Sequence, residues 1–213
     1  MRPLFFAATF TVATLTACAT TGTQVAIDGK QMLEKAASCC TTLKDAALLP
    51  LPIEKEQLRI DGTRQAFLFD GAKSFFVLYR LPEFKGTYSI LVSSNPEGTV
   101  NDTAIFLPRV TTYDASFKPL RYFDESTLRS RGSTMERTIF INPSNTAERY
   151  IAIHASDLST PMERTVSMQT FQQIYVGTGF IMVQNGADVK STLRPVPIGT
   201  VDIEVNGLAS TDR

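Results

Sequence analysis

The sequence predicts an all-β protein: a single antiparallel β-sandwich, of jelly-roll or immunoglobulin-like topology, preceded by a signal peptide and a short N-terminal helix. Three observations predict it. From Leu58 onward the chain falls into short segments rich in Val, Ile, Phe, Tyr and Thr at regular intervals. The breaks between them carry turn residues, such as Asp70-Gly71 and Asn95-Pro96-Glu97-Gly98. In Thr200–Val205, apolar Val201, Ile203 and Val205 alternate with Asp202 and Glu204, the period of a half-buried strand. The expected division is a leader over 1–17, a tether, helix and Pro-rich passage over 18–57, the sandwich over 58–207 and a tail over 208–213.

Arg2 gives the leader a positive start. Leu4–Ala17 is then apolar, and no acidic residue precedes Asp28. This is the layout of a secretory signal. The run is too short for a membrane-spanning helix, which needs roughly 20 apolar residues. Its end, Leu15-Thr16-Ala17-Cys18, resembles a bacterial lipobox. That resemblance implies diacylglyceryl attachment to the Cys18 thiol and cleavage that makes Cys18 the new N-terminus. Several acyl chains on one residue hold a protein firmly where one does not. Ala19, in place of an aspartate, favours the outer membrane over the inner. The expected location is the periplasm, on the outer membrane.

Ala19–Gly29 is small and polar, as a tether would be. A short amphipathic helix is expected over Lys30–Leu43, from the spacing of Met32, Leu33, Ala36, Ala37 and Cys40. With Cys18 acylated, the adjacent Cys39 and Cys40 are the thiols left in an oxidising compartment. They can form a vicinal disulfide, stay as free thiols or bridge to another molecule; the vicinal disulfide is favoured. Two neighbouring thiols lack the further ligands of a closed metal site. Pro50 and Pro52 then force an extended passage.

The strands follow in order. Arg64–Asp70 and Lys73–Leu81 flank the Asp70-Gly71 turn as a hairpin. Gly86–Ser94 is next. Ala104–Asp114 is interrupted by Pro108, which points to an edge or a bulge rather than a central strand. Asp114–Phe123 reads as a turn and a returning strand, and Asp124–Arg131 as a short helix or loop. Ser133–Pro143 and Glu148–Ser156 are two more strands. Gln173–Gln184 and Ile198–Val205 complete the set.

Composition excludes more than it selects. Lys and Arg total 21, as do Asp and Glu, so nothing in the charge calls for nucleic acid. Trp, a common stacking platform in sugar sites, is absent. His154 is the only histidine, and it shares a strand face with Tyr150 and Ala152. With no partner in view it reads as a packing residue rather than a base or ligand. No nucleophile elbow, zinc-binding helix motif, Cys-x-x-Cys or phosphate loop is present. Gly177 and Gly179 read as a bulge or a close backbone approach, not a phosphate cradle. Asp102, Asp114, Asp124 and Glu125 are candidate carboxylates of the kind any acidic-rich chain offers. Arg129, Arg131 and Arg137 form a loose basic cluster, read as a solvated loop. No catalytic residue, metal site or cofactor is expected, and the chain is not read as an enzyme.

Within Ile105–Phe123, the pair Ile105-Phe106, then Pro108, Val110, Asp114 and Pro119, resembles the maltose operon periplasmic protein family (MalM-like proteins). Arg137–Pro143 and Ala147–Leu158 resemble that family's next two strands. Cys39-Cys40, before a Leu- and Pro-rich passage, is similar to its lipoprotein members. The resemblance covers roughly 39–156. It implies a β-sandwich envelope protein that assists maltose or maltodextrin transport without catalysis, with a maltodextrin or a transport component as partner and the membrane reached through the N-terminal lipid. It carries over no catalytic residues. Longer members continue through a linker into a helical tail, whereas this sequence stops at Arg213. If sugar is bound directly, Tyr79, Tyr88, Tyr113 or Tyr122 can stack on a ring. The alternative is an assembly lipoprotein docking on an outer-membrane partner, with an edge strand as the docking element.

Overall fold

A computed structural model of the chain describes residues 20–156 and 160–208. The leader, Cys18 and most of the C-terminal tail lie outside them. The elements in order are helix α1 (Gly22–Lys35) and strands β1 (Leu49–Pro50), β2 (Glu56–Ile60), β3 (Ala66–Phe69), β4 (Ala72–Arg80), β5 (Tyr88–Asn95), β6 (Glu97–Gly98), β7 (Asp102–Phe106), β8 (Pro108–Tyr113), β9 (Pro119–Phe123), β10 (Arg129–Arg131), β11 (Thr134–Ile141), β12 (Tyr150–Ala155), β13 (Met162–Val176), β14 (Gly179–Val196) and β15 (Gly199–Asn206). Over the described residues the protein is mostly β, in three sheets with one α-helix. The first sheet runs β1-β4-β12-β8-β9, with β3 also on β4. The second runs β10-β11-β5-β15-β2, and the third β13-β14-β7-β6.

The main core is filled from one face of each of the first two sheets. Phe75, Val77 and Tyr79 of β4, Val110 of β8, and Ile151 and Ile153 of β12 meet Ile90 and Val92 of β5, Ile139 of β11, and Val201 and Ile203 of β15. Tyr88–Asn95 alternates buried and half-buried along its whole length, as a strand with one covered face must. The outer face of the first sheet is covered as well. Leu43, Phe69, Phe76, Leu78, Tyr113 and Ala152 form a second cluster there. Strand β4 is therefore apolar on both sides.

Asp70 (φ 49°) and Gly71 (φ 87°) both take left-handed conformations and close the β3–β4 hairpin, as a two-residue Asp-Gly turn requires. Four expectations are corrected. The helix is not over Lys30–Leu43 but over Gly22–Lys35, so most of the expected tether is helical. Thr21 caps it by accepting a bond from the Gln24 amide. Gly22 and Gly29 are close-approach positions: a Cβ on Gly22 would lie 2.6 Å from the Thr103 carbonyl carbon, and one on Gly29 2.8 Å from Ile198 Cγ1. Second, Pro108 opens a central strand, β8, which lies between β12 and β9. It sits where the chain leaves the third sheet at Phe106 for the first, and a first strand position tolerates the missing N–H. Third, two pairings, β1–β4 and β7–β14, are parallel, so the sheets are not wholly antiparallel. Fourth, Gln173–Gln184 is not one strand. Gly177 (φ 62°) turns the chain between β13 and β14.

Candidate functional site

Among the described residues, the side chains singled out as candidates for chemistry are taken up by structure and do not converge. His154 is almost fully buried, stacks on the Phe69 ring at 3.9 Å between centroids, and has Nδ1 3.1 Å from its neighbour's carbonyl, Ala155 O. Asp114 accepts from the Ser116 and Lys118 amides and shapes the turn into β9. Asp124 accepts from the Ser126 hydroxyl and amide at the start of a single 3-10 turn, and these bonds, the hydroxyl's first, lower its pKa. Glu125 accepts two bonds from Arg109, at 2.8 and 2.9 Å, and that guanidinium is the main reason its pKa falls. Among the described residues no three His, Cys, Asp or Glu side chains are grouped as a metal site would need. The basic cluster separates too. Arg137 is buried and donates to the carbonyl oxygens of Phe123 and Asp124, Arg131 pairs with Glu136 at 3.6 Å, and Arg129 is exposed on edge strand β10. It is not a solvated loop, because β10 is hydrogen-bonded to β11. The sulfur atoms of Cys39 and Cys40 are in bonding contact beside the Ser38↔Ala66 bridge.

Two of the four tyrosines are removed as stacking platforms. Tyr79 and Tyr88 point into the core with 1% and 2% of their surface exposed. Burial raises both hydroxyl pKa values, that of Tyr88 to about 12. The other two come together. Tyr113 and Tyr122 line a surface cleft of about 670 Å³ with Phe67, Leu68, Phe69 and Phe117. Phe117 (φ 60°) is held there by stacking on Tyr150 at 4.2 Å. Tyr113 is largely buried while Tyr122 is half exposed, so Tyr122 supplies the accessible ring.

The most unusual feature is the hairpin of β13 and β14. Strand β14 pairs with β7 only from Thr192 to Val196, yet its pairing with β13 continues to Val176↔Gly179. The two strands therefore leave the body at Arg164↔Ser191 as an arm roughly 40 Å long at about 3.3 Å per residue. Beyond that rung, among the described residues, the outer edge of each strand is unpaired. No charged residue occurs between Arg164 and Asp188, and no proline. The tip is apolar and open: Phe171, Ile174, Tyr175, Val176, Phe180, Ile181 and Met182 are all exposed, Tyr175 to 76%.

The base of the arm is firm by contrast. Leu193 packs with Ile105 and Leu107, with half-buried Met162, Met135 and Leu128 against them. Asp102, at the start of β7, ties the base to the helix. Its Oδ1 accepts from Arg194 Nε at 2.8 Å, and its Oδ2 from the Thr23 amide at 2.9 Å and hydroxyl at 2.7 Å. The Thr23 hydroxyl, then Arg194, hold its pKa down at about 2. Asp102 is thus a joint, and it places the N-terminal end of α1 beside the point where the arm departs.

The sequence carried one signal of the arm, the charge-free run around Gly177-Thr178-Gly179. No helix among the described residues is long and apolar enough to cross a membrane. No protein-family model matches the chain and no curated protein matches it, so the resemblance to maltose operon periplasmic proteins rests on the strand and turn motifs alone.

Proposed function

We propose that this chain is a non-catalytic lipoprotein of the bacterial cell envelope, acylated at Cys18 and held at the outer membrane, whose single β-sandwich body presents the β13–β14 arm as a docking element. The observation that carries this reading is the arm. A two-stranded ribbon is marginal in water on its own. Soluble proteins blunt exposed strand edges with charge or proline, and neither occurs between Arg164 and Asp188. A long open edge and an apolar tip suit a surface made to be covered. Cys18 precedes Gly22 by a stretch that reaches at most about 14 Å when extended, so the lipid would sit at the same end of the body as the root of the arm.

The test is a photoactivatable residue in place of Tyr175, at the tip, and another in place of Phe140, which is exposed on β11 of the body. In intact cells the tip should yield discrete crosslinks and the body position few. Equal yields, or none from the tip, would remove the docking role.

A second reading, assistance to maltodextrin uptake, is favoured by the cleft that joins Tyr113 and Tyr122. Calorimetric titration with maltose to maltoheptaose tests it on the soluble form beginning at Ala19. Heat that disappears on replacing Tyr122 with Ala would support it, and silence throughout would refute direct binding. Cys39 and Cys40 are proposed as a vicinal disulfide, checked by intact mass before and after reduction.

A further inference from the structure

The register of the arm separates its side chains onto two faces of different chemistry. On one lie Ile174, Val176, Ile181, Val183, Ala187 and Val189, interrupted by Thr170↔Asn185 and Gln172. On the other lie Gln169, Gln173, Gln184, Gly186, Asp188 and Lys190, joined near the tip by Phe171, Met182 and the opposed pair Tyr175↔Phe180. Successive residues of a strand point to opposite sides, so the division holds along both strands. One face is apolar. The other carries amides along the shaft, charges at its root and aromatic rings at its end.

The dimensions match a bilayer. The charge-free parts, Thr165–Val176 of β13 and Gly179–Ala187 of β14, are close to the roughly 9–11 residues that a tilted transmembrane strand requires. From Asp188 to Gly179 the strand covers about 30 Å, or roughly 23 Å along the membrane normal at a 40° tilt, against an apolar band about 25 Å tall in outer-membrane barrels. Asp188 and Lys190 mark one water boundary and the turn at Gly177 the other. A short link to a Cys18 lipid would hold the root of the arm against one leaflet with its tip directed to the far side.

Hydrocarbon offers no partner to the unpaired N–H and C=O groups on the outer edges of β13 and β14, so a lone hairpin cannot span it; a closed barrel can. Both edges are open beyond the root, and a hairpin donated by each of several copies would close them. We propose that the arm crosses a lipid bilayer as a transmembrane β-hairpin, its edges paired with the arms of further copies of this chain and its Gln-bearing face lining the interior. This rests on the docking role of the arm and names what the arm enters.

The full acylated chain, reconstituted into dye-loaded phosphatidylethanolamine–phosphatidylglycerol vesicles, tests it. Dye should escape, the arm should resist added protease, and chemical crosslinking should give a ladder of copies. Val183→Lys places a charge on the lipid face at mid-span and should cut release by roughly tenfold or more, whereas Gln184→Lys, on the interior face, should leave it within about twofold. Each substitution lies on the exposed arm, so the body serves as an internal folding control. Intact vesicles, a protease-cleaved arm, monomers only, or equal effects of the two substitutions would overturn the inference. Tip crosslinks in cells to a different envelope protein, together with intact vesicles, would overturn the barrel and keep the docking role. Loss of the tip crosslinks would remove both.

Discussion

Replacing Asp102 with Asn should loosen the joint between helix α1 and the root of the arm. The carboxylate accepts from the Thr23 amide and hydroxyl through Oδ2 and from Arg194 Nε through Oδ1. These bonds lower its pKa from 3.8 to about 2. At about 1.36 kcal/mol per unit, that depression is equivalent to about 2.5 kcal/mol. Asp102 and Arg194 side chains keep 24% and 34% of their surface in water, and screening reduces the figure to about 1 kcal/mol. The folded value lies below the unfolded one. The contribution is therefore complete above pH 4, near the unfolded value, and is lost as pH falls toward 2. Urea unfolding of the soluble chain from Ala19 measures it. The Asn variant should be less stable by about 1 kcal/mol at pH 7, and the gap to the parent should close near pH 2. Equal stability at pH 7, or a gap that persists undiminished at pH 2, would refute the assignment of Asp102 as a charged clasp.

Two other perturbations probe the same end of the molecule. Gly22→Ala should destabilise by about 1–3 kcal/mol in urea, although alanine favours a helix, because its Cβ would meet the Thr103 backbone at 2.6 Å; a stabilised variant would contradict that packing. Cys18→Ser should abolish incorporation of labelled palmitate, and labelling that persists in the variant would contradict the anchor.

Much of the fold was legible because its signals are local. Asp70-Gly71 requires two left-handed residues in a row, and few sequences other than a hairpin turn supply that. Tyr88–Asn95 and Gly199–Asn206 each cover one face, so their alternation is plain in the sequence. The helix was displaced because Gly22 and Gly29 look like flexible tether, and only the tertiary packing against Thr103 and Ile198 explains them. Tyr79 looked available because β4 is buried on both faces, and a continuous apolar strand does not reveal which side chains face which layer. Tyr113 and Tyr122 come from different strands, β8 and β9, and their meeting at the cleft depends on pairing that a linear reading does not contain. The arm was hidden for another reason. Gln, Thr, Ser and Met break its alternation, and a run without charge resembles an interior strand until the register shows that no strand among the described residues covers it.

The unpaired edges of the arm give the most direct measurement. Backbone amide hydrogen exchange over Thr165–Ala187 can be compared between the dilute soluble chain and the acylated chain in native envelope membranes. Amides that face outward on β13 and β14 should exchange rapidly in the first and be protected by at least about tenfold in the second, while amides of β5 and β15 in the core stay slow in both. Outward-facing amides that exchange equally fast in the two preparations would show that nothing covers the arm, and the docking account would fail.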